Sequence, residues 1–277
     1  MRKKIFVETT IHIERLFSDA ERQAKISKNL KDAVFSTSSY VYMEFRRTML
    51  QAISYVLSVA RQMLKEGQKN IDLVSLLRRL SAGTAISFSL RNFQRVMLIY
   101  SYLLDHFSTF IVPAAILIDY LEYNRDITIP ERFFESIDEY INHTNCDLVS
   151  PGAPVGDYLH SRLSCNARKA KCALVSFLQQ HQAELHQLEL ALAAAAPEKV
   201  NPRTLAALKK INVDILKALG QRTCWHLGDV IIALEAPDDA FLYTTDGHFD
   251  LICSVLGKQL FSGESGCTTA FIESEAS

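Results

Sequence analysis

Glycine and proline are scarce: 10 Gly and 7 Pro in 277 residues. That excludes a collagen-like or Pro/Gly-rich disordered chain and favours an ordered, helix-rich globule. With 48% hydrophobic residues, the chain can bury a real core, as one large domain or two small ones. Long apolar runs are missing. The most apolar stretch, Phe110 to Ile118, is too short to span a bilayer and contains Pro113, so it reads as a buried helix. The basic N-terminus, Met1-Arg2-Lys3-Lys4, lacks the apolar h-region and small-residue cleavage site of a secretory signal. Closely paired cysteines are missing too: Cys146, Cys165, Cys172, Cys224, Cys253 and Cys267 stand apart. Reduced core thiols and a cytoplasmic location are therefore expected. His143, Cys146, His160, Cys165 and Cys172 lie near one another in sequence, but their spacings fit no compact zinc-finger pattern. No Gly-rich phosphate loop, Ser-His-Asp order or Cys-His pair offers a mechanism.

Net charge is nearly absent, at -1, yet it is unevenly spread. Residues 1–100 hold 17 Lys/Arg against 8 Asp/Glu, and residues 101–160 hold 2 against 10. Residues 161–222 return to a positive balance, 10 against 4, and residues 223–277 hold 1 against 9. A basic first third suits a polyanion, although Lys and Arg on solvated helix faces give the same count.

Along the chain, Ile5-Phe6-Val7 reads as a strand, and Thr10 is a natural N-cap for a helix through Ile11, Ile13, Leu16 and Phe17. A second strand is expected over 33–37. Ser38 then caps a helix that carries Glu44 and runs on through Leu50, Ile53, Val56, Leu57 and Ala60 at helical spacing. Further helical stripes follow, among them Phe93 to Phe107, Leu174 to Leu192 and Leu205 to Leu219, the last opened by Pro202. Thr144 to Gly156 reads as a loop, and the tail from 263 to 277 as flexible.

Four carboxylates stand in these strand and helix signals: Glu8 in KIFVETT, Glu44 in STSSYVYMEFRR, Asp229 in CWHLGDVIIALE and Asp246 in LYTTDGHFD. Glu8 and Asp246 both follow short apolar runs, which puts them at carboxyl ends of strands, where open α/β sheets bind ligands. Clustered acids need a positive partner, and oxygen donors suit Mg²⁺ or Mn²⁺.

The contexts of these four residues resemble, in order, those of the PIN-domain family of metal-dependent ribonucleases. Members open with a strand ending Asp-Thr-Ser/Thr, and Glu8-Thr9-Thr10 occupies that place. A strand-serine-helix segment brings in a Glu, matched by Val34-Phe35-Ser36 and then Ser38 to Glu44. An Asp near the start of an Ala-containing apolar helix is matched by Gly228 to Ala233, and a strand ending Thr-x-Asp-x-x-Phe by Thr244 to Phe249. The resemblance covers roughly residues 3–50 and 222–256 and departs in one ligand, Glu8 for the usual Asp.

It implies an α/β fold: a PIN-like central parallel sheet flanked by helices, built from 1–50 and 220–262, with a large all-helical insertion at 51–219. It further implies an endoribonuclease holding Mg²⁺ or Mn²⁺ on Glu8, Glu44, Asp229 and Asp246. Asp250 assists through a water or serves as a turn residue. Thr9, Arg46 and Arg47 are the candidate RNA contacts. Many members of the family are toxins or defence effectors restrained by a protein partner or inhibitor; a homo-oligomer also stays open. The Glu at position 8 and the size of the insertion are equally features of an inactive relative kept as an RNA-binding or scaffold protein. His226 and His248 are read as capping or packing residues, or as substrate contacts; Trp225 as core, or as a base-stacking platform.

Overall fold

The computed structural model describes residues 2–87, 90–146 and 172–262. Its centre is a five-stranded, wholly parallel sheet. The strands are β1 (Lys3–Val7), β2 (Ala33–Ser38), β5 (Glu139–Ile141), β6 (Phe241–Tyr243) and β7 (Gln259–Leu260), in the spatial order β5-β2-β1-β6-β7. β1 pairs on one side with β2 (Ile5 opposite Phe35) and on the other with β6 (Ile5 opposite Phe241). The strand order therefore reverses between β1 and β6, which makes their carboxyl ends a topological switch point.

Ile5, Phe6 and Val7 are all fully buried, as a parallel strand covered on both faces requires. Ile5 and Val7 pack with Ile11 of α1 (Thr9–Phe17), Ile26 of α2 (Ala20–Leu30), Ala33 and Phe35. Phe6 faces the other way into a much larger core. That core runs through α3 (Ser39–Phe45) and α4 (Gln51–Lys65), then α6 (Leu90–His106) and α7 (Ala114–Tyr123). It continues through α9 (Leu174–Gln180), α10 (Gln182–Ala194) and α11 (Pro202–Val213), and returns through α13 (Gly228–Glu235) and α14 (His248–Leu256). The middle of the chain thus shares one apolar interior with the sheet. α5 (Leu73–Ser87) adds Leu73, Leu76 and Leu80 to the same core and α8 (Ile129–Phe134) adds Ile129 and Phe133, while the short α12 (Gln221–His226) leads into α13. Among the described residues no helix is long and apolar enough to cross a membrane.

The middle segment is not all-helical. β3 (Asn70–Asp72) and β4 (Ile111–Pro113) form an antiparallel pair, and β5 adds a strand to the main sheet beside β2. These strands have three residues each, and β5 is largely exposed at the sheet edge, so no apolar alternation announces them. The run from Phe110 is accordingly not one buried helix. Val112 precedes a proline and is held extended, so α7 starts only at Ala114, leaving Phe110 and Ile111 exposed. Helix starts were partly legible. Ser38 caps α3, its hydroxyl accepting from the Val41 N–H at 3.2 Å. α1, however, is capped by Glu8 rather than Thr10. The expected tail at 263–277 and most of the 144–156 loop lie outside the described residues.

Candidate functional site

β1 ends at Val7, and the next residue turns the chain into α1. Glu8 does this with an extended backbone while its Oε2 accepts the Thr10 N–H at 2.7 Å. A carboxylate cap uses one oxygen. The other, Oε1, is buried without a hydrogen-bond partner, and the whole residue is only 3% exposed. Burial first, and the Glu44 charge besides, push the Glu8 carboxyl up to about 8, against the opposing pull of the Thr10 N–H and of the nearby Thr10 and Thr244 hydroxyls. The Glu8 N–H donates to the Tyr243 carbonyl at 3.3 Å, so β1 and β6 remain paired up to the site.

Glu44 arrives near the end of α3, two turns past the Ser38 cap. Its Oε2 accepts the Thr9 hydroxyl at 2.7 Å, and its Oε1 lies 3.5 Å from the Arg47 guanidinium. Arg47 in turn stacks over the Trp225 ring, 4.3 Å from its centroid. Immediately after Glu44 the helix widens into a π-turn over Arg46–Leu50, where the Thr48 hydroxyl donates to the Glu44 carbonyl at 2.8 Å. π-bulges of this kind recur at functional sites.

α13 brings Asp229 in from the other end of the chain. Its first residue, Gly228, passes close to Glu44: a Cβ there would stand 3.8 Å from Glu44 Oε1 and 3.7 Å from the Tyr40 hydroxyl. Tyr40 fixes this approach by donating to the Cys224 carbonyl at 2.7 Å. Asp229, half-buried, sits in the first turn of α13.

Asp246 follows β6. The Thr244 hydroxyl accepts the Asp246 N–H at 2.9 Å, and Asp246 Oδ1 accepts the His248 N–H at 3.0 Å at the entrance to α14. Thr244 therefore stands between Glu8 and Asp246, favouring charge on the first and bracing the second. Asp250 is exposed in the first turn of α14.

The fold thus brings the Glu44 charge to bear on Glu8, whose neighbour Thr9 donates to Glu44, and sets Thr244 near Glu8 while it accepts the Asp246 N–H; Gly228 sets Asp229's backbone against Glu44. Among the described residues, no three His, Cys, Asp or Glu side chains stand close enough to hold one metal ion together. The reason is visible in their partners: Glu8 and Asp246 turn one oxygen each to helix-capping N–H groups, and Glu44 turns to Thr9 and Arg47. Like charges repel unless a cation joins them. The donors are nevertheless all oxygen, and the partnerless Oε1 of Glu8 leaves one ligating atom unused.

The residues expected from the sequence to contact RNA divide. Thr9 is buried, with its hydroxyl committed to Glu44. Arg46 does not face solvent at all: it is 4% exposed and packs near the Tyr42 ring. Consecutive helical residues point in different directions, so Arg46 and Arg47 are no surface pair, and only Arg47 borders the site. Sequence reasoning counted Gly228 and Thr244 only as flanks of the matched motifs and gave Tyr40 no part in the site. It also missed Glu235, buried at the far end of α13, which burial pushes up to about 7.

No family model, no curated protein and no solved structure matches this chain.

Proposed function

We propose that the chain is a Mg²⁺- or Mn²⁺-dependent endoribonuclease built on a PIN-like sheet, with Glu8, Glu44, Asp229 and Asp246 as the ion's ligands. The observation that carries this reading is the Glu8 carboxylate at the β1–β6 switch point. One of its oxygens is buried and partnerless beside a second carboxylate. A buried oxygen in that position is destabilising unless a proton or a cation satisfies it. The ion would lower the pKa of a water and offset charge on the scissile phosphate. The chain's own residues orient the rest. Thr9 holds the Glu44 carboxylate, Thr244 holds the loop that carries Asp246, and Arg47 offers a cation at the border of the site. The preference for RNA rests on the family resemblance.

The competing reading is an inactive RNA-binding or scaffold protein. The absence of any assembled three-ligand group among the described residues favours it. A labelled single-stranded RNA incubated with protein and Mn²⁺ separates the two. Cleavage that EDTA abolishes, and that falls at least ~100-fold in Asp229→Asn or Asp246→Asn, supports the nuclease. Binding without cleavage supports the scaffold.

A further inference from the structure

Arginines from three separate elements gather beside the Glu44 side of the site. Arg47 comes from the π-turn after α3, Arg203 from the first turn of α11 and Arg222 from α12. Two contacts lock the elements together. The Thr204 hydroxyl donates to the His226 carbonyl at 2.9 Å, joining the start of α11 to the end of α12. The Tyr40 hydroxyl, donating to the Cys224 carbonyl at 2.7 Å, joins α12 to α3. His226 feels all three cations: after burial, the charges of Arg203, Arg222 and Arg47 hold its imidazole below the ordinary range. Arg203 and Arg222 are exposed, and neither forms an ion pair among the described residues. Lys210, exposed on α11, reaches across to the Thr223 hydroxyl at 3.3 Å and adds to the same surface.

We propose that Arg203 and Arg222, with Arg47 stacked on Trp225, form the docking surface for the phosphate backbone of single-stranded RNA entering the site. Unpaired, exposed guanidinium groups are phosphate-binding groups. The surface abuts Glu44 through Arg47, so a backbone lying on it leads to the acids. The Arg47–Trp225 stack adds a planar platform of the sort on which unpaired bases rest, which favours RNA over an acidic protein. The inference takes RNA as substrate from the proposed function but does not depend on cleavage. It also moves the basic surface away from the first hundred residues, since two of the three arginines come from 161–222.

Fluorescence anisotropy of a labelled U20 RNA with the full-length chain in EDTA, where no cleavage occurs, tests it. Arg203→Glu/Arg222→Glu should weaken binding at least ten-fold and flatten the log-log salt slope by about 1.4, at ~0.7 per lost contact. Lys65→Glu/Lys69→Glu imposes the same charge change at and just past the far end of α4, a 15-residue helix and so about 22 Å long, and should leave affinity within two-fold. Circular dichroism melts of both double variants keep a folding defect from passing as lost binding. Equal losses in the two variants, an unchanged affinity in the first, displacement of RNA by polyglutamate as readily as by unlabelled U20, or no RNA binding by the wild type each overturn the proposal. Failure of RNA cleavage with this binding pattern intact would instead count against the nuclease alone.

Discussion

A carboxylate oxygen without a donor is destabilising in a protein interior, and two glutamates here carry such oxygens. Glu8 stands at the switch point, whereas Glu235 is the last residue of α13, at the other end of that helix from Asp229. Ser38 and Thr144 stand near Glu235 and favour its charged form, yet neither meets its oxygens in good hydrogen-bond geometry, and burial wins. With the carboxyl pushed up to about 7 from an ordinary 4.5, the folded chain keeps its proton across that window while the unfolded chain loses it. The associated stability is fully present below about 4.5 and is lost as pH rises to about 7. Subtracting melting temperatures of Glu235→Gln from those of wild type should reveal a decline over that window, at about 2–4 °C per kcal/mol. Parallel curves would contradict it. At the same scale, Arg46→Ala should destabilise by about 1–3 kcal/mol, having removed a buried packed side chain. Arg47→Ala should cost little stability but weaken RNA binding. Denaturant melts and anisotropy distinguish the two. This division was not legible in the sequence, which shows two adjacent arginines and no hint of which one the helix turns inward.

At the scale of elements, the sequence carried the strands that lead into Glu8 and Asp246 and the Ser38-capped helix, because each couples an apolar run to a polar cap. It hid what lies between such signals. The π-turn at Arg46–Leu50 leaves no compositional mark, since Arg46 to Ala60 reads as ordinary helix. Its Thr48 hydroxyl reaches both the Glu44 and the Phe45 carbonyls, at 2.8 and 3.1 Å. Thr48→Val removes those bonds and should lower stability by about 1 kcal/mol. RNA cleavage should drop with it, because Glu44 loses the turn that places it; an unperturbed rate would show that the turn is only structural. Gly228 marks a close approach rather than a special backbone. A methyl there meets only ordinary contacts, with the nearest atom at 3.7 Å. Gly228→Ala should therefore fold at least as well as wild type, whereas Gly228→Leu should displace Glu44 and reduce cleavage with less effect on RNA binding. Paired melts and cleavage rates read both outcomes.

Across the whole molecule, one apolar core joins the sheet to the helices of the middle, so the long segment between Glu44 and Asp229 is packed against the domain whose ends it connects. Helical periodicity made those helices readable, while β5, exposed and only three residues long, gave no sign that the sheet would extend beyond β2. Charge behaved similarly. Block counts located basic and acidic stretches, but only the fold brings Arg203 and Arg222 beside Arg47. The central claim is that the four acids serve a divalent ion. Crystals grown with Mn²⁺ and measured across the manganese absorption edge test it most directly. The account predicts one anomalous peak, or two about 3.5–4 Å apart, bounded by Glu8, Glu44, Asp229 and Asp246, with the nearest carboxylate oxygens about 2 Å away. A well-ordered map at saturating Mn²⁺ with no peak among those four residues would contradict it.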